Sequence, residues 1–308
     1  MTFYPLLPVL STPFADDSTL HHSIKFQRRP TQEELMLSRE AASALLSSDL
    51  ASISEWGREN LVNFNASKTQ FLHITNRRNS PNSYPITFNS CQLQPSQTIN
   101  ILGVTFSSDL TWKDHITNLA KLGSRRLGAL RRLSGFFNPS QLLSVYRGLV
   151  RPCVEYNSHI WGGSTHSVLL DRLESKAIRL IASPSLTTSL TPLCIRRSVA
   201  SLSLFYRYYH NQCSSELSNC VPPPLRRSRN TRFSSQSHTF SVQLSNPRLN
   251  RFSQSFFYFS AINWNSLPQH VFPSTYDLPT FKRRVAEHLS HHWNWTRGNI
   301  GPMPPYPS

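Results

Sequence analysis

Apolar positions follow strand-like spacing in short stretches early in the chain and helical spacing through most of what comes later. Thr31-Gln32-Glu33-Glu34 forms a capping box, in which the Thr31 hydroxyl bonds a first-turn N–H and Glu34 reaches back. The helix it opens is predicted to run to about Asn60. Leu46, Leu50, Ile53 and Gly57 share one inward face, with Trp56 beside them as a core anchor. Short strands are predicted at Phe71–Thr75, Pro85–Phe88 and Ile99–Phe106, with loops at Lys25–Pro30 and Asn76–Tyr84. From Trp112 the period becomes helical, carried first by Ile116, Leu119, Leu127, Leu130 and Leu133. Asn138-Pro139 starts a second helix, Asn as cap and Pro at the first position, with Leu142, Val145 and Leu149 inward before Pro152. Trp161-Gly162-Gly163 breaks the chain. Helices then follow at Val168–Ile181 and about Arg197–His210, the latter with Phe205, Tyr206, Tyr208 and Tyr209 read as packing residues. A closing helix at about Leu278–His288 turns Phe281, Val285 and Leu289 to one side. No internal repeat is visible.

Composition adds a partner class. Lys and Arg total 32 against 16 Asp and Glu, a formal charge of +16 over 308 residues. That surplus favours a polyanion, either nucleic acid or an acidic membrane surface. The length suits two or three domains, and no apolar run reaches the length of a spanning helix. Met1–Leu10 lacks a basic n-region and carries two prolines, so it is a poor signal peptide and reads as a strand-like lead or a ragged start. Five cysteines without a C-x-x-C pair argue against a disulfide framework or a zinc knuckle, and for a reduced, intracellular setting.

Two constellations carry candidate chemistry. Phe14-Ala15-Asp16-Asp17 places two adjacent carboxylates in a turn. Such a pair can hold Mg2+ against phosphate oxygens, and an ordinary solvated turn accounts for it equally. Lys121, Arg125, Arg126, Arg131 and Arg132 occupy positions largely distinct from the apolar stripe of their helix. They read either as its solvated face or as a phosphate-facing surface.

Taken in order, Phe14-Ala15-Asp16-Asp17, the capped helix, Asn65-Ala66-Ser67-Lys68-Thr69, Leu102-Gly103-Val104, Trp112-x-x-His115 and Trp264-Asn265-Ser266-Leu267-Pro268 form a recognisable succession. It resembles the C-terminal part of reverse transcriptases from non-LTR retrotransposons of the LINE or jockey-like kind. The resemblance implies an α+β fold. A remnant polymerase palm, a few antiparallel strands plus a helix, would cover 1–110, and a mostly α-helical thumb 111–220. A basic Pro/Ser/Arg-rich linker over 221–251, a small C-terminal helical module over 252–289 and a disordered tail over 290–308 would complete it. Asp16 would ligate both catalytic Mg2+ ions, with Asp17 beside it, because two metals clamp the attacking and leaving oxygens of an in-line displacement. Lys68 matches a lysine near the leaving pyrophosphate, and a surface lysine in a turn is its plainer reading. Leu102-Gly103-Val104 resembles the primer-grip strand, where glycine lets backbone approach nucleic acid.

The implied partners are an RNA template, a DNA primer and, in the full-length enzyme, dNTP, with the nucleus as the site of insertion and no membrane. Polymerases of this kind also need an aspartate on an earlier palm strand, and fingers. Thirteen residues precede Phe14, and none is Asp or Glu. The expectation is a polymerase-derived chain that does not polymerise by itself. A non-catalytic basic nucleic-acid-binding protein and a decayed reading frame are the alternatives.

Overall fold

The computed structural model describes residues 10–14, 17–24, 30–75, 85–225, 238–247 and 249–296, with backbone alone for 10–14, 17 and 292–296. The loops expected at Lys25–Pro30 and Asn76–Tyr84, much of the 221–251 linker and the last twelve residues of the tail lie mostly or wholly outside the described residues. Helices dominate and the strands are few and short, an α+β composition. The chain divides into two compact units, Met1–Leu110 and Thr111–Ser308.

In the first unit, β1 (Leu10–Phe14) and β2 (Asp17–His21) pair antiparallel, with Phe14 opposite Asp17. Helix α1 (Gln32–Glu59) starts at the capping box, with Glu34 N–H donating to Thr31 Oγ1 at 3.2 Å and Thr31 N–H to Glu34 Oε2 at 2.8 Å. Two strands, β3 (Phe71–Leu72) and β4 (Ile86–Phe88), are followed by β5 (Cys91–Leu93), β6 (Pro95–Ser96), β7 (Thr98–Ile101) and β8 (Val104–Ser107). Strand β3 pairs parallel with β6, and β4–β5 and β7–β8 are hairpins.

Ile86, Phe88 and Leu93 form a small core with Leu46, Leu50, Phe64 and Phe71 packed on it. Serines along α1 serve the β4 edge in place of a neighbouring strand. Ser43 Oγ donates to Pro85 O at 2.6 Å, and Thr87 N–H donates to Ser47 Oγ at 3.1 Å. Trp56, expected as a core anchor, is half-buried at the helix end, 6.4 Å from the Phe64 ring.

Ile99–Phe106 is not a single strand but the β7–β8 hairpin, turning at Leu102-Gly103. Both turn residues have positive φ, 48° and 77°, as a type I′ turn requires. A run of β-forming residues hides a turn when only one of its central pair is glycine.

In the second unit, α2 (Lys113–Leu133) packs against a rod formed by α3 (Pro139–Val145), a π-helical turn at Tyr146–Val150 and α4 (Arg151–Glu155). The rod continues past Pro152, where the sequence predicts its end. Pro152 has no N–H to donate, and the ladder widens ahead of it. Helices α5 (Ser158–Trp161), α6 (Val168–Ile181), α7 (Pro184–Thr187), α8 (Leu193–Tyr209) and α9 (Ser215–Ser218) follow. Gly123 lets α2 and α6 approach, since a Cβ there would lie 2.7 Å from Leu173 Cδ1. Leu127, Leu130, Leu142, Leu143, Tyr146, Leu173 and Ala177 share one core cluster.

Helix α8 begins at Leu193, earlier than its sequence suggests, because another helix caps it. The Glu174 carboxylate, buried on α6, accepts the Leu193 N–H at 2.9 Å and the Tyr146 hydroxyl at 3.2 Å. Beyond α10 (Asn250–Ser253), helices α11 (Phe256–Asn265) and α12 (Leu278–Thr296) close the chain. Helix α12 runs on past His288, since no Gly or Pro interrupts it before Gly298. Trp264, Leu267, Phe281 and Val285 share one core with Val199, Leu202, Phe205 and Tyr206 of α8. Tyr206 stacks on Phe281 at 4.2 Å between ring centres.

Candidate functional site

Of the Asp pair, Asp17 opens β2 opposite Phe14, while Asp16 and the Asp17 side chain lie outside the described residues. Asp49 on α1 is an acid that sequence reasoning missed. It is 3% exposed and its Oδ2 has no hydrogen-bond partner among the described residues. Burial raises its pKa, against a smaller lowering by His22 just beyond β2. Its place inside a helix with no motif around it left no local signal.

Lys68 ends a short 3-10 turn, Ala66–Lys68, and is exposed. The turn is fixed locally, with Ser67 N–H and Ser67 Oγ both donating to Asn65 Oδ1, at 2.9 and 2.7 Å. Leu102 and Gly103 form the β7–β8 turn, and Val104, 1% exposed, anchors it in the first unit. The glycine therefore serves a tight reversal rather than a strand interior.

The five cations of α2 divide. At 100° per residue, Lys121, Arg125 and Arg132 fall within about 40° of one another and roughly opposite Ile116, Leu119, Leu127 and Leu130. Arg131 flanks them, and all four are exposed and make no ion pair among the described residues. Arg126 differs. It donates from Nη1 to Leu149 O at 2.7 Å, a carbonyl in the π-helical turn, so it braces the rod. A second basic row went unread in the sequence: Arg172, Lys176 and Arg179 are exposed at i, i+4 and i+7 on α6, the helix packed on α2. The buried cations Arg197 and Arg151 are committed inward: Arg197 donates to Asp171 at 2.7 Å, and Arg151 pairs with Glu155, which also pairs with the exposed Arg196.

Two carboxylates are the hard oxygen donors that Mg2+ prefers. Among the described residues no group of three or more His, Cys, Asp or Glu side chains could hold a metal ion. All five cysteines are free, and no helix among the described residues is long and apolar enough to cross a membrane.

No protein-family model matches the chain, and no solved structure does. Two curated fruit-fly proteins match part of it. The chain is 25% identical over 150 residues to the RNA-directed DNA polymerase from mobile element jockey of Drosophila melanogaster, covering 46% of this chain and 16% of that protein. It is 28% identical over 133 residues to the putative 115 kDa protein in type-1 retrotransposable element R1DM, covering 42% of this chain and 13% of that protein. The match thus spans less than a fifth of either relative. Both partial homologies support the reading of the chain as a fragment of a non-LTR retrotransposon reverse transcriptase.

Proposed function

We propose that the chain is part of an RNA-directed DNA polymerase of a mobile element, and that its second unit holds the template–primer by its backbone. The observation that carries this is the exposed face of α2. Lys121, Arg125 and Arg132 lie on one stripe without counter-ions among the described residues. Eleven residues of helix span about 16 Å, or roughly five nucleotide steps along one strand. Charges at that spacing meet phosphates spread along one strand and release counterions, which fixes position without reading sequence.

On the same reading Asp16 and Asp17 would hold Mg2+, which would supply polarisation of the phosphate and activation of the attacking oxygen. Lys68 stands by the leaving group and the Leu102-Gly103 turn brings backbone to the primer. A reduced, intracellular and finally nuclear setting goes with this role.

The same basic face supports a second reading, a nucleic-acid-binding protein without catalysis. One experiment addresses both. Binding of the full chain to an RNA–DNA template–primer is followed by fluorescence anisotropy, for wild type and for Asp16→Asn with Asp17→Asn. Binding at low salt that survives the Asn substitutions is expected under both readings. Extension is not expected from the chain by itself, so Mg2+ is the discriminator: binding that Mg2+ strengthens in wild type and not in the Asn variant selects the polymerase-derived reading, and binding indifferent to Mg2+ selects the second. No binding at low salt overturns both.

A further inference from the structure

The turn between α2 and α3 carries a feature that backbone binding does not use. Phe136 is 85% exposed, the most exposed aromatic side chain among the described residues. The turn holds it outward. The Phe136 and Phe137 amides both donate to Leu133 O at 3.0 Å. Beyond them Asn138 and Gln141 exchange the paired hydrogen bonds of a capping box, at 2.9 and 3.0 Å. Phe137 packs against the Leu127–Leu130 core, so one ring of the pair anchors the turn and the other faces water.

A single exposed apolar side chain is ordinary. Its surroundings make this one informative. Arg131 and Arg132, in the last turn of α2, are exposed and make no ion pair among the described residues. A Cβ added at Gly135 would meet nothing within 4 Å, so the space beside the turn is open. An apolar protein surface would cover the ring only by burying unpaired cations beside it. A membrane surface is engaged by a broad apolar helix face, whereas the exposed face of α2 is charged. A nucleic-acid strand offers a flat π-face for the ring and phosphates for the arginines together.

We propose that Phe136 is a stacking platform for an unpaired base of RNA or DNA, with Arg131 and Arg132 on the flanking phosphates. This rests on the nucleic-acid reading of α2 and adds to it a base contact and a preference for unpaired strand.

The test uses the full chain, with an oligo-dT single strand, an oligo-U single strand and a blunt DNA duplex, for wild type, Phe136→Ala and Phe136→Tyr. Phe136→Ala is expected to weaken single-strand binding roughly tenfold, the scale of one lost base–aromatic stack, and to leave duplex binding unchanged. Phe136→Tyr is expected to restore it, and the two single strands show whether the sugar matters. Wild-type binding to all three that Phe136→Ala leaves untouched overturns the stacking role and spares the backbone reading. An equal loss on single strand and duplex overturns the preference for unpaired bases. Binding to neither removes both readings. Adsorption to anionic phosphatidylserine vesicles that needs Phe136, with single-strand binding unchanged, assigns the ring to a membrane instead.

Discussion

Glu174 ties three elements of the second unit together through one carboxylate. It accepts from the Tyr146 hydroxyl and from the Leu193 amide, so Glu174→Ala strands two buried donors. At about 1–3 kcal/mol for a stranded donor, urea denaturation should show a loss of roughly 3 kcal/mol with an unchanged m-value. Burial is the largest influence on this carboxyl and raises its pKa, outweighing the Leu193 N–H, Arg151 and Tyr146. The native state therefore binds more protons than the unfolded chain between the ordinary and the raised value. The stability this group provides is full below the ordinary carboxylate range and is lost as pH rises through the folded value. Glu174→Gln should flatten that part of the stability curve from about pH 4 upward. A wild-type curve matching the Gln variant across that range would contradict it. Residue roles of this kind were the least legible. The five cations of α2 look alike in sequence, and only the fold shows that Arg126 is spent on Leu149 O.

At the scale of elements, two glycines of one helix should behave in opposite ways. Gly128 has nothing within 4 Å of an added Cβ, so Gly128→Ala should stabilise by roughly 0.5–1 kcal/mol, as helix propensity dictates. Gly123 faces Leu173 Cδ1 at 2.7 Å and Val154 Cγ1 at 3.0 Å, so Gly123→Val should cost about 1–3 kcal/mol through overpacking. Urea midpoints of the two variants check both signs, and a stable Gly123→Val would mean α2 and α6 pack otherwise. Elements with local signals were legible: the Thr31 capping box, the Asn138-Pro139 helix start, and the helix at Val168–Ile181. Elements whose ends depend on distant residues were not. The start of α8 is set by a carboxylate nineteen positions earlier, and the Leu102-Gly103 reversal puts a leucine at positive φ, which few leucines adopt.

At the scale of the molecule, the aromatic run of α8 finds its purpose in the end of the chain. Tyr206 lies 1% exposed between Phe281, Tyr276 and Trp264, and its hydroxyl accepts the Asp277 N–H at 3.0 Å. The sequence suggested packing there but not the partner, because partners 71 positions apart leave no periodic trace. The surplus of +16 was legible from composition, while its sorting into braced, ion-paired and unpaired cations needed the fold. That sorting makes the proposed phosphate binding by the α2 stripe measurable. The direct test is the salt dependence of template–primer affinity for wild type and for the triple variant Lys121→Gln, Arg125→Gln, Arg132→Gln. The slope of log affinity against log salt is expected to become shallower by about 3, near one for each phosphate contact removed. An unchanged slope and affinity in the triple variant would contradict it.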